Sequence, residues 1–169
     1  TVSDGVVADY VHNRAAPGLG KIGVLVGIET KADKAKVLEL GRQVAMHIAA
    51  ANPLSVRVED LDKASVERER AIYVDQAKAS GKSQEIAEKM VEGRLRKEYF
   101  QQVVLLQQTF LGSGGDGKQT VEQVLKDAER TLGAPIVIKA FVRYALGEGI
   151  EKKEEDFAAE VAAAVSGAS

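Results

Sequence analysis

Two short runs of β-branched and apolar residues near the start of the chain limit its fold more than any other feature. Residues 5–12 read GVVADYVH and residues 22–28 read IGVLVGI. Both have the composition of strands, and the second is apolar enough for a central one. Between them, residues 13–21 carry Pro17, Gly18 and Gly20, which punctuate a loop. A parallel pair needs a crossover of about a dozen residues or more, usually a helix. The connection is too short for that, so an antiparallel pair joined by a long hairpin loop is expected.

The rest of the chain reads mostly as helix. Asp33 is placed to cap a helix over 34–51, with apolar residues at 37, 38, 40, 44, 45, 48 and 49 on one face. Asn52-Pro53 ends it. Two long charged helices follow, over about 64–80 and 83–102, with Gly81 at the first C-cap and Ser83 at the second N-cap. Their apolar stripes are thin: Val66, Ile72, Val74 and Ala77 on one, Ile86, Met90, Val91, Leu95 and Tyr99 on the other. So short a turn makes them antiparallel, and so narrow a seam predicts a projecting, coiled-coil-like hairpin. Residues 103–111 are apolar and read as extended. After the glycine-rich stretch 112–117, Thr120 caps a helix to Leu132 that Gly133 closes and Pro135 stops. A third strand runs over 136–146, and a last alanine-rich helix over about 153–165 around Phe157, Val161 and Val165. The fold class expected is α+β. A small three-stranded antiparallel sheet with helices spans 1–62 and 103–150. A helical hairpin is inserted over 63–102, and a C-terminal helical module covers 151–169.

Composition and motifs narrow the chemistry. The 169 residues suit one domain with an appendage, and a chain of this size buries roughly 70% of its unfolded surface without staples. There is no cysteine, which removes disulfides and thiolate metal sites and makes a reducing cytoplasm the expected compartment. The net charge of −2 gives none of the basic excess of a nucleic-acid binder. No apolar run reaches the ~20 residues that span a bilayer, and Thr1 opens no basic-then-apolar leader. The nearest approach to a catalytic motif is Gly112-Ser-Gly-Gly-Asp-Gly117-Lys118-Gln119-Thr120, which resembles the phosphate loop G-x-x-x-x-G-K-[ST]. Gln119 stands where the magnesium-binding hydroxyl belongs, and Thr120, one residue on, is rotated by ~100° on a helix. A plain loop is therefore expected. The two histidines, His12 and His47, cannot by themselves supply the three protein ligands of a zinc site. His47 reads as a partly buried helix residue and His12 as a surface contact at a hairpin end. No G-x-S-x-G elbow occurs, and the carboxylates lie mostly among Lys and Arg at helical spacing. No catalytic residue, cofactor or metal is expected.

What remains is the form of an interaction module, and the motifs resemble one family. Residues 5–12 and Lys21-Ile-Gly-Val-Leu-Val26 are similar to the paired strands of the C-terminal core subdomain of bacterial elongation factor Ts. Val44-Ala-Met-His-Ile-Ala-Ala50 resembles that subdomain's helix, and Glu88-Lys-Met-Val-Glu-Gly-Arg-Leu-Arg-Lys97 its coiled-coil signature. Gln107-Gln-Thr-Phe110 resembles the family's Q-P-F region, with Thr109 where proline is usual. Phe141-Val-Arg-Tyr-Ala-Leu-Gly-Glu-Gly-Ile-Glu-Lys152 resembles its last strand, and Asp156-Phe-Ala-Ala-Glu160 the C-terminal helix. The motifs fall in the family's order over nearly the whole chain. The family's N-terminal helical domain has no counterpart in these residues, nor does its T-D-F-V run, whose Asp-Phe pair disturbs the nucleotide site. The loop after His12 is longer than in many members.

The resemblance implies a guanine-nucleotide exchange factor for elongation factor Tu, meeting its GDP-bound and nucleotide-free forms in translation elongation and carrying out no chemistry itself. It implies that His12 touches domain 3 of that partner, that Phe110 and Leu111 lie in a segment reaching the same domain, and that the helix holding Phe157 touches the G domain. It leaves open a homodimer through the helical hairpin. Gly93 and Arg94 read as structural residues of that hairpin. The alternative is a stand-alone interaction module with a coiled-coil arm and no exchange activity.

Overall fold

A computed structural model describes residues 4–81, 83–112 and 117–149. The expected helix over 153–165, with Phe157, lies outside the described residues. The sheet has three strands, β1 (Gly5–Ala16), β2 (Leu19–Thr30) and β3 (Ile136–Ala145), in the order β1-β2-β3 with both pairings antiparallel. Helix α1 (Lys34–Ala51) crosses one face of it. Helices α2 (Lys63–Ala79) and α3 (Gln84–Arg94) form a hairpin, and α4 (Val121–Leu132) leads into β3. The architecture is α+β, as expected.

The first two strands are longer than their apolar cores, and the long loop expected between them does not exist. Strand pairing runs on past His12 through Arg14↔Gly20 to Ala16↔Leu19, so the turn is Pro17-Gly18 alone. Proline at the first central position and a glycine at φ +74 in the second suit a type II turn. A register shift between Arg14 and Ala16, with Asn13 at φ 51, absorbs the irregularity. Backbone pairing needs no apolar side chain, which is why the polar residues 13–16 and 19–21 concealed a strand extension.

Alternation along β2 sends Val24, Val26, Ile28 and Thr30 toward α1, and all four are buried. They meet Val37, Val44, Ala45 and Ile48 of the helix, with Leu125 of α4 and Ile136 and Ile138 of β3 completing the core. Gly41 makes the close crossing possible: a Cβ there would lie 2.7 Å from Ala8 Cβ and 2.9 Å from Ile28 Cδ1. Asp33 caps the helix by accepting from the Ala35 and Lys36 amides, and Asn52 in the left-handed region ends it ahead of Pro53.

The hairpin has its own small core of Tyr73, Val91 and Leu95, flanked by Val74, Tyr99 and Phe100, with Ala77 and Ala87 also buried. The expected seam is corrected in part: Ile72, Ile86 and Met90 are exposed, and Tyr73 and Ala87 face inward instead. One residue of offset turns a helical side chain by ~100°, and the positions 73, 77 and 87, 91, 95 hold the four-residue spacing that keeps one face. Arg94 clamps the pair. Its guanidinium stacks 4.1 Å from the Tyr73 ring centroid, donates to both Glu98 carboxylate oxygens and reaches Gln76 Oε1 at 2.8 Å. Arg70 and Glu92 form an ion pair across the hairpin.

Past Arg94 the chain winds as a π-helix over Leu95–Phe100 and closes with an α-helical turn over Gln101–Val103. The stretch expected to be extended is only partly so. Val104 bridges Ser55 in parallel, a 3-10 turn covers Leu105–Gln107, and Thr109 bridges Thr120. The chain entering the hairpin and the chain leaving it are thus tied together. The Leu54 amide donates to Val103 O at 2.8 Å and the Leu105 amide to Ser55 O at 2.9 Å.

Two glycines on helices separate by their surroundings. Gly41→Val should destabilise the chain by about 2 kcal/mol in urea unfolding, from overpacking against Ala8 and Ile28. Beyond its chain neighbours and its own helix backbone, Gly93 has nothing within 4 Å of an added Cβ among the described residues, so Gly93→Ala should stabilise by roughly 0.5–1 kcal/mol through helix propensity.

Candidate partner-binding surface

The segment 108–111 is built around His47. The 3.6-residue period of α1 puts this imidazole on the face buried with Val44 and Ile48, where it is 1% exposed. It is fully buried, more than its expected partial burial. Its Nε2 lies 2.9 Å from Gln108 Oε1, and its Nδ1 accepts the Leu111 amide at 3.2 Å. Because the amide can only donate, Nδ1 holds a lone pair and Nε2 carries the proton given to Gln108. Gln108 in turn donates to Gln102 O at 2.6 Å. The Phe110 ring packs 5.8 Å from the imidazole. This chain of contacts fixes what the segment presents: Phe110 is 3% exposed and Leu111 60%. Phe110 therefore supports the segment from within, and Leu111 is the side chain open at the surface.

Gly112 belongs to the same arrangement. A Cβ there would fall 2.2 Å from Phe110 Cζ, so packing explains this glycine without any phosphate. Thr120, the other end of the phosphate-loop resemblance, spends its hydroxyl on the Gln123 amide in a capping box, while Gln123 Oε1 accepts the Thr120 amide. Residues 113–116 lie outside the described residues.

His12 sits elsewhere. It is exposed on β1 in register with Ile22, on the same strand face as Tyr10, whose hydroxyl is 3.0 Å from His12 Nδ1. The structure brings Phe110 and Leu111 together on His47, and places His12 with Tyr10 on the β1–β2 hairpin. The face of the sheet turned away from α1 adds residues that the sequence did not single out. Val7, Leu25, Val142 and Tyr144 are all exposed there, Tyr144 at 74%. The register sets Leu25 opposite Asp9 and Val142, and Tyr144 opposite Gly23. Their signal in the sequence was the run of apolar residues on both parities of a strand, which hides the difference between a covered and an open face. Among the described residues, no group of three or more His, Asp or Glu could hold a metal ion, and no helix is long and apolar enough to cross a membrane.

Residues 1–148 match the family profile described as Elongation factor TS. The chain belongs to the elongation factor Ts family. It is 60% identical over 167 residues to the Elongation factor Ts of Parvibaculum lavamentivorans, a match covering 99% of this chain and 53% of that protein. Against the Elongation factor Ts of Bartonella tribocorum it is 59% identical over the same shares. Against that of Caulobacter vibrioides it is 55% identical over 162 residues, 96% of this chain and 51% of the relative. The chain spans about half the length of these curated relatives. In this chain, the motif segments resolve into β1–β2, the His47 stretch of α1, the hairpin and the 107–110 segment. The Ala-Met-His-Ile motif thus acquires a physical role: its histidine is the buried bracket that fastens the segment 61–64 residues away in the chain.

Burial holds the His47 imidazole below the ordinary histidine range of about 6.5, and the Gln108 hydrogen bond partly offsets this. The native state keeps the ring neutral, while the unfolded chain takes up a proton as pH falls below that range. The stability contributed here is thus full above about pH 6.5 and is lost as pH drops from there through the depressed native value. The urea midpoint should fall between pH 7.5 and 5.5, and His47→Gln should flatten that fall; an equal slope in both proteins would contradict it.

Proposed function

We propose that this chain is the partner-holding part of a guanine-nucleotide exchange factor for elongation factor Tu, working in translation elongation in the cytoplasm without chemistry of its own. The observation that carries this is the family match over residues 1–148. The described structure is consistent with a binder: exposed apolar side chains stand on a rigid sheet and on a segment bracketed from the core.

The proposed architecture has a core of 1–62 and 103–150, an inserted hairpin of 63–102 and a C-terminal module of 151–169 with Phe157. Support comes from the hairpin's separate hydrophobic cluster and from the pairing of 54–56 with 103–106 at its base. In the proposed complex His12 and Leu111 meet domain 3 of elongation factor Tu. Phe110 acts from below by holding Leu111 out, and Phe157 lies toward the G domain. A binder speeds nucleotide loss only through tighter association with the nucleotide-free partner than with the GDP form, because only differential affinity shifts such an equilibrium. The residues that wedge open the nucleotide site are placed, in this proposal, in the part of the family's length that this chain does not span.

Release of a fluorescent GDP analogue from elongation factor Tu, with a parallel pull-down, tests this. The expected result is binding with little acceleration of release. His12→Ala and Leu111→Ala should each weaken binding by roughly 5–30-fold, the range of a contact worth about 1–2 kcal/mol. If the chain neither binds nor accelerates release, the stand-alone interaction module takes this one's place.

A further inference from the structure

We infer that His47 is a positioning residue for the partner-binding segment, holding Leu111 in its presented conformation only while the imidazole is neutral, so that protonation of His47 loosens the chain's grip on its partner. This deepens the function proposed above and rests on it.

Backbone bonds fasten the segment up to Phe110. The Gln108 carbonyl accepts the Val121 amide at 3.0 Å, and the Phe110 amide donates to Gln119 O at 2.9 Å. The next amide along, that of Leu111, goes to His47 Nδ1. This is where the chain turns outward, from a buried Phe110 to an exposed Leu111. The bracket works because imidazole offers a donor and an acceptor on opposite sides of one rigid ring. A proton on Nδ1 would set two N–H groups against each other, and the Leu111 amide would have to leave.

Among the described residues, the partners that hold the ring are uncharged. The polar groups against the ring are the Gln108 amide and the Leu111 N–H, beside the Phe110 ring. On α1 itself, Lys34, Lys36, Glu39 and Arg42 are all exposed, while His47 is buried. The packed segment 101–112 reads QQVVLLQQTFLG and contains no ionisable residue at all. The two states of the ring therefore differ in whether Leu111 is bonded. That difference is local to a surface segment, although the histidine lies in the core.

Two readouts test the inference. The first is hydrogen exchange of the Leu111 amide in the free chain, corrected for the intrinsic pH dependence of exchange. Protection at pH 7.5 should fall about tenfold or more in His47→Phe, which fills the ring's place without its nitrogens, and protection in the unaltered chain should fall in the same direction as pH drops to 5.5. The second is the Kd for elongation factor Tu, measured side by side for the unaltered chain and His47→Phe, so that titration of His12 and of the partner cancels in the difference between their pH slopes. Affinity of the unaltered chain should fall from pH 7.5 to 5.5, while His47→Phe should already be weak at pH 7.5 and should fall less. Gln108→Met, which leaves the imidazole in place but removes its proton acceptor, should fall between the two and serves if His47→Phe does not fold. Equal Leu111 protection with and without His47, or the same pH slope of Kd in both, overturns the inference. Failure of the unaltered chain to bind at pH 7.5 sinks the proposed function instead, and the amide readout still decides whether His47 brackets Leu111.

Discussion

Gly41 lets α1 lie on the sheet with only Ala8 and Ile28 beneath it, and much of the molecule follows from that close crossing. With no side chain at the contact, Val37, Val44, Ala45 and Ile48 reach the inward row of β2 on either side of it. Full burial of a Val or Ile side chain contributes roughly 1.5–3 kcal/mol, so several of them on one short helix offset much of the entropy of ordering it. The same crossing fixes the rotation of α1 and with it the direction of His47. A helix held further off would leave the imidazole short of Gln108 and the Leu111 amide, and the outward turn at Leu111 would lose its bracket.

The hairpin is organised on a different principle. Its core is a few side chains wide, and much of its cohesion comes from Arg94, which joins Tyr73, Gln76 and Glu98. Exposed ion pairs contribute little singly, typically under about 1 kcal/mol, but a guanidinium used on three sides loses less entropy per contact made. The open space around Gly93 shows that the helices there are not pressed together at a glycine, in contrast with Gly41. One glycine is required by packing and the other is not, although both sit within helices. At the base, the pairing of residues 54–56 with 103–106 ties the arm to the core through backbone bonds, leaving its own side chains to hold the arm itself.

Much of this was legible from residue order alone. The apolar β2, the periodic face of α1, the caps at Asp33 and Thr120 and the stops at Asn52 and Gly133 all correspond to local physics. Each depends on side chains within a few positions of one another, and each appears where expected. The strand extensions through 13–16 and 19–21 were concealed because backbone hydrogen bonds can continue a ladder without apolar side chains. The hairpin seam was half legible: Val91 and Leu95 were found, but Tyr73 and Ala87 exchange places with Ile72 and Ile86, since hydrophobicity does not tell which of two neighbouring residues meets the partner helix.

The candidate surface divides the same way. The sequence by itself determined the α+β class, the order of the elements and the motifs that mark the family, because these are set by composition, spacing and chain order. Only the tertiary structure decided that Phe110 is buried while Leu111 is open, that His47 brackets both, and that Leu25, Val142 and Tyr144 share an uncovered sheet face. Those facts depend on contacts between residues dozens of positions apart, as in the bond from His47 to Leu111. Such a contact is settled by how closely a helix approaches a sheet, and no local pattern of residues records that distance.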